Sequence, residues 1–261
     1  MLEDTLNAVT AQVAEVAGYL WEKGWAERNG GNISCDVSAC APLFSDVRPL
    51  TEPVHIGLSV PQLRGACFLV TGTGRRMRDV ARDPMGHAAI LRICEDAAHY
   101  EILAEAPVRP TSELPSHLAI HNWLRIHRPA CKAVIHTHPT ELVAMSHNPA
   151  FRERDVLTRL LWSMIPETRA FCPKGLGIVP YTLPGSVALA ENTLVQLADY
   201  DVVLWEKHGV LAVGSDPIEA FDMIDTLSKS AQIYLDACTM GFRPEGMSDA
   251  QMDELKQAFN L

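Results

Sequence analysis

His136, Thr137 and His138 close an apolar run that begins at Ala133, so the segment reads as the tip of a buried strand. Side chains at i and i+2 on a strand point to the same face. His136 and His138 therefore aim two imidazoles into one space, which is what a divalent transition metal needs. A pair of hydrogen-bonded core histidines leaves the same trace, so the pair needs partners before it reads as a metal site. His208 is one candidate, at a break between two β-like runs where Gly209 is expected to relieve the backbone. Glu113 is another, expected in the first turn of a helix capped by Ser112. The helix dipole favours a carboxylate there whatever its use, so position alone does not make Glu113 catalytic. Three neutral imidazoles around Zn²⁺ leave one coordination position open, as in a catalytic site. The ion would act as a Lewis acid, and a neighbouring carboxylate would carry the proton.

Two glycine-rich turns carry a weaker signal. Asn29-Gly30-Gly31-Asn32 makes either a tight turn with exposed amides or a plain helix-to-strand connection. Thr71-Gly72-Thr73-Gly74 follows a short buried strand, Cys67 to Val70, and its hydroxyls and free N–H groups could cradle a phosphate. It lacks the Gly-Lys-Ser/Thr ending of a P-loop, and no dinucleotide-binding GxGxxG follows. The histidines at 55, 87, 99, 117, 121, 127 and 147 lack such pairing and read as surface or core residues. Seven scattered cysteines without a Cys-x-x-Cys pair read as reduced thiols of a cytoplasmic protein.

The elements that must position these groups are those of an α/β protein. With 261 residues, 48% of them apolar, and no linker or internal repeat, one domain over 1–261 is expected. A net charge of −10 argues against nucleic acid and against an anionic membrane surface as partners. It leaves room for a small anionic ligand. No stretch approaches the ~18–20 apolar residues of a membrane span, and the acidic start lacks a signal-peptide pattern.

Apolar spacing predicts an opening helix from Leu6 that stops at Gly24, then an irregular region over 35–66 with one short strand. Asp83-Pro84 starts a helix expected to run to about Cys94, followed by a strand from His99 to Leu103. The helix after Ser112 should reach about Ile126, and further helices are expected over 139–145, 154–163 and 186–198. A long helix opens with the capping box at Asp216 and Glu219, and Ser248 caps a short terminal one. Strands and helices alternate without a regular βαβ rhythm. The expectation is three αβα layers around a central mixed or antiparallel sheet.

Taken together, the motifs resemble a known family. Asn29-Gly30-Gly31-Asn32, Thr71-Gly72-Thr73-Gly74, Thr111-Ser112-Glu113-Leu114-Pro115, His136-Thr137-His138 and Lys207-His208-Gly209-Val210 occur in the order and spacing of the zinc-dependent class II aldolase/adducin family. The likeness runs from Gly24 to the Lys229-Ser230-Ala231-Gln232 segment. It implies one Zn²⁺ per chain held by His136, His138 and His208, with Glu113 as the acid/base residue. It implies that Asn29, Gly31, Asn32, Thr73, Gly74, Thr111 and Ser112 hold the phosphate of a sugar phosphate substrate. It implies a homotetramer in which Glu167 reaches a neighbouring subunit's site. Thr73 stands where serine is expected, and keeps the hydroxyl.

The implied reaction is retro-aldol cleavage of a 1-phosphoketose, which leaves charge on the enediolate of dihydroxyacetone phosphate. A Schiff-base enzyme would delocalise that charge through a buried lysine. None of the six lysines lies in a clearly apolar strand interior, and zinc does the same work electrostatically. Rival readings are an aldolase for another sugar phosphate such as L-fuculose 1-phosphate, a pentose-phosphate 4-epimerase of the same family, and a non-catalytic adducin-like module. A JAMM-type metallopeptidase pattern finds Ser146 in place, but meets Pro149 where its aspartate ligand belongs.

Overall fold

A computed structural model of the chain describes residues 1–103, 108–153 and 155–260. The first helix, α1 (Leu2–Glu22), buries Val13, Val16, Ala17 and Leu20 along one stripe. It ends where Gly24 turns the chain at φ +72°. The next segment, β1 (Asn32–Asp36), is the centre of the fold, paired with β3 (Cys67–Thr71) on one side and β6 (Ala133–Thr137) on the other.

Including β2 (Val54–His55), β4 (Ala88–Ile93), β5 (His99–Ile102), β7 (Leu176–Val179), β8 (Val202–Trp205) and β9 (Gly209–Gly214), the nine-stranded sheet runs β2-β5-β4-β3-β1-β6-β9-β8-β7. Every pairing is antiparallel except β7 with β8. The sheet is therefore mixed, as expected, with one parallel pair at its edge.

Helices cover both faces. On one side α1 packs with α5 (Thr140–Ser146), α6 (Val156–Met164) and α9 (Pro217–Thr239) over Ile33, Ile135, Leu204 and Ala212. On the other, α4 (Leu114–His127) and α8 (Val187–Leu197) lie over Val134, Val203, Leu211 and Val213. Alternate strand residues feed the two layers, as a two-sided sheet requires. The short α2 (Met77–Val80) and α3 (Pro84–His87) follow β3, α7 (Pro166–Phe171) packs on α6 and α9, and α10 (Asp249–Ala258) closes the described chain. Among the described residues, no helix is long and apolar enough to cross a membrane.

Several expectations need correction. The helix from Asp83 does not run to Cys94. Asp83 does cap α3 by accepting from Gly86 N at 3.0 Å, but the chain becomes β4 at Ala88. There Ile90 and Leu91 point to opposite cores, and pairing to both β3 and β5 outweighs helix propensity. The central strand β1 begins inside the Asn-Gly-Gly-Asn motif rather than after it. Ser112 does not cap α4: Glu113 occupies the N-cap position, its N–H donating to Thr111 Oγ1 at 3.3 Å. The carboxylate is thereby left clear of the helix end. The start expected at Arg154 lies outside the described residues. At the far end of the chain, the Ser248–Gln251 capping box forms as read.

Candidate active site

The five motifs meet at one rim of the sheet. His136 is the penultimate residue of β6, His138 lies just beyond it, and His208 immediately precedes β9, the strand paired with β6. One ligand atom from each of the three histidines lies within 4.8 Å of the other two. The Nδ1–H of His136 donates to the Val210 carbonyl at 3.0 Å, a group that can only accept. Its Nε2 is therefore a bare lone pair. His138 Nδ1 meets the Glu27 carboxylate at 2.8 Å, which fixes the same tautomer. The two Nε2 atoms then face each other at 3.2 Å.

Two lone pairs at that separation repel unless a cation lies between them. Tetrahedral ligands at roughly 2.0–2.1 Å from a common ion would sit about 3.3 Å apart. The His208 Nδ1 is buried without a hydrogen-bond partner among the described residues. The donor set thus fits a metal of the zinc type. Burial, then the neighbouring charges of His138 and His208, pushes His136 well below the ordinary imidazole range, and burial lowers His208 as well. Both shifts favour the neutral, ligating form.

Local sequence builds this geometry. A Cβ on Gly209 would lie 2.5 Å from the Thr137 carbonyl oxygen, 2.7 Å from His136 Cε1 and 2.8 Å from His138 Cδ2. Gly209 is therefore needed for space. The strained backbone belongs instead to Lys207, at φ +61°, whose N–H donates to Ser146 Oγ at 2.9 Å. Trp205, anchored by its indole N–H on Thr193 at 2.9 Å, lies against the rings of both His136 and His208, with centroids 4.5 and 5.2 Å away. The Trp25 carbonyl accepts from Thr137 Oγ1 and His138 N, tying the end of α1 to the histidine strand.

Glu113 stands over this centre, its Oε2 3.8 Å from His136 Nε2. Asn32 Nδ2 donates to that same oxygen at 2.9 Å. The remaining residues expected to hold phosphate sit on adjoining loops. Thr73 N donates to Arg109 O, Thr111 N donates to Thr71 O, and Gly72 bridges Pro110. Gly31, at φ +77°, lies close against the His136 carbonyl, so the 29–32 turn abuts the same rim. Asn29, Thr73, Gly74 and Ser112 are exposed on these loops, while Thr111 and Asn32 are buried. Beside the triad opens a cavity of about 750 Å³ lined by Glu27, His138, Thr140, Val143, His147 and His208 among others. Glu167 is not brought to the triad. It is exposed at the start of α7, a helix packed on α6, α9 and α10.

Comparison with known proteins places the chain. The family model described as Class II Aldolase and Adducin N-terminal domain matches residues 11–235. The chain belongs to this family. It is an enzyme, a lyase of the aldolase type. A protein of Bacteroides thetaiotaomicron named rhamnulose-1-phosphate aldolase is 56% identical over 96% of this chain and 93% of its own. One of the same name from Listeria welshimeri is 34% identical over 96% and 91%. Among solved structures, a sugar-phosphate aldolase from Thermotoga maritima superposes with a TM-score of 0.78 at 34% identity, covering 93% of this chain and all of that one. The resemblance and the three-layer α/β architecture expected from the motifs agree with these matches.

Glu27, Trp205, Ser34, His117 and His121 belong to the surroundings of the site although no motif marks them. Glu27 was visible as part of the Glu27-Arg28-Asn29 run, though nothing in the sequence ties it to His138. His117 and His121 carry a legible signal. Glu113, His117, His121 and Arg125 recur every four residues on one helix stripe, and Asn32, Ser34 and Asp36 alternate on one strand face.

Proposed function

We propose that this enzyme cleaves L-rhamnulose 1-phosphate reversibly to dihydroxyacetone phosphate and L-lactaldehyde, with Zn²⁺ held by His136, His138 and His208. The names of the Bacteroides and Listeria relatives support the substrate. The observation that carries the metal-dependent chemistry is the pair of Nε2 lone pairs facing each other at 3.2 Å, with both tautomers fixed from behind.

Bound zinc supplies a Lewis acid for the negative charge that cleavage develops on the ketose oxygens. The chain does the rest. The loops carrying Asn29, Gly31, Asn32, Thr73, Gly74, Thr111 and Ser112 grip the phosphate and fix the reacting end, supplying orientation. As the C3–C4 bond breaks, its electron pair passes to C3, the O4–H electron pair forms the aldehyde C=O, and the O4 proton passes to the Glu113 carboxylate. Glu113 returns a proton to C3. Glu167 of a second copy in a homotetramer handles the aldehyde half, which fits its exposure on α7.

The test is zinc content together with release of dihydroxyacetone phosphate from a panel of 1-phosphoketoses that includes L-fuculose 1-phosphate. About one zinc per chain and preferential cleavage of L-rhamnulose 1-phosphate are expected. Cleavage of none of them by the zinc-loaded protein would overturn the reading.

A further inference from the structure

Beneath Glu113 lies a row of buried polar side chains of which the retro-aldol reaction, as described so far, uses only Asn32. Asn32 Oδ1 makes a short hydrogen bond with His117 Nε2. His117 Nδ1 meets Ser34 Oγ at 2.6 Å, and Ser34 Oγ meets His121 Nε2 at 2.8 Å. All four residues are buried. They meet because two repeats match. Two residues of β1 advance about 6.6–6.8 Å, and four residues of α4 advance about 6.0 Å. Asn32 and Ser34 on the strand can therefore engage His117 and His121 on the helix in step.

The row divides the apolar cluster around Phe68 and Leu118 from the one around Ile120 and Leu124. Apolar residues of similar size would join those clusters without any polar group to satisfy. Packing alone gives no reason for four polar side chains here.

Hydrogen-bond direction supplies a reason. Asn32 donates its NH₂ to the Glu113 carboxylate, and the amide thereby turns its Oδ1 toward His117. His117 Nε2 must then carry a proton. Since the ring is neutral, Nδ1 is a lone pair and takes the Ser34 hydroxyl proton. Ser34 Oγ in turn accepts from His121 Nε2–H. Every donor in the chain points toward Glu113. The amide of Asn32 is the one member that could rotate by half a turn, which would set its carbonyl oxygen against the carboxylate.

We infer that His117 is a positioning residue for the reaction, locking the Asn32 amide in the orientation that holds Glu113 Oε2. Among the described residues the other oxygen, Oε1, has no hydrogen bond and is left for the proton at substrate carbon. The inference rests on the reading of Glu113 as the acid/base residue. The metal site is outside its reach, because the triad is held by Val210, Glu27 and Trp205 and not by this row.

The experiment compares His117→Gln, which replaces Nε2–H with an amide N–H, and His117→Leu, which removes the donor, in the zinc-loaded enzyme with L-rhamnulose 1-phosphate. His117→Leu should lose kcat on the order of 10²-fold, the size of a misplaced catalytic group, with KM moved by a smaller factor. His117→Gln should recover most of that loss. Full kcat in a folded, zinc-loaded His117→Leu would overturn the inference, as would equal losses in both variants. Should His117→Leu fail to fold, Ser34→Ala tests the same chain, and an unchanged kcat there overturns it. Nitrogen-15 NMR of the wild-type protein gives a readout independent of turnover. It should show His117 protonated at Nε2 and bare at Nδ1, and the opposite tautomer sinks the proposal. If Glu113→Gln keeps full activity while the tautomer is as stated, the reading of Glu113 has failed and the geometry of the row has not.

Discussion

At the scale of single residues, the triad was legible because strand periodicity put two histidines on one face within three positions. Their supports were not legible, since a second partner for each ring comes from remote chain. Glu27 lies 111 residues from His138 in sequence yet 2.8 Å from its Nδ1. A carboxylate behind a ligating imidazole fixes its tautomer and raises its basicity. Glu27→Ala should therefore weaken zinc binding by about 10- to 100-fold, read by competition with a chromophoric chelator, and saturating zinc should restore activity. Glu113→Gln separates the other role. The amide cannot carry the proton, so turnover should fall by ~10²–10⁴ while elemental analysis still finds the metal. Loss of zinc in that variant would make Glu113 a ligand rather than a proton carrier.

At the scale of elements, the sequence announced strands and helices where local pattern and tertiary demand agreed, as in the Asp216-capped α9 and the Ser186-capped α8. It misled where they conflicted. Residues 84–93 have a helix start and an apolar run, but the run is claimed by two neighbouring strands and becomes β4. The central β1 was obscured because its second face is polar, Asn32 and Ser34 being buried against α4 rather than exposed to solvent. The β8–β9 turn shows a further distinction. A glycine there suggested an unusual backbone angle, but Lys207 takes the left-handed conformation and Gly209 provides clearance. Gly209→Ala should consequently push on His136 and His138 together, with contacts of 2.5–2.8 Å to relieve. The expected result is loss of stoichiometric zinc, and a melting transition that chelator no longer lowers. Normal zinc content in Gly209→Ala would show that the rim can relax.

At the scale of the whole molecule, the buried histidines couple stability to pH. Burial, only partly offset by Glu113, lowers His117 to about 4, and burial offset in part by Asp36 does the same to His121. In the unfolded chain both should titrate near the ordinary value of about 6.5. The unfolded state therefore binds more protons between pH 6.5 and 4, so stability is full above that window and declines as pH falls through it. Each histidine that stays neutral in the fold adds up to about 1.4 kcal/mol of loss per pH unit. Asp36 does not share this window. Burial pushes its carboxyl up, but hydrogen bonds from Ser38 and the Arg125 charge outweigh it, and the net shift is downward. Its contribution is present above the ordinary carboxylate range and fades only below about pH 4. Urea unfolding of the chelator-treated protein at steps from pH 7 to 4.5 should show the midpoint falling, and His117→Gln should flatten the slope by about one proton's worth. A wild-type midpoint that holds steady across those steps would mean that these imidazoles pick up their protons as readily inside the fold as outside it.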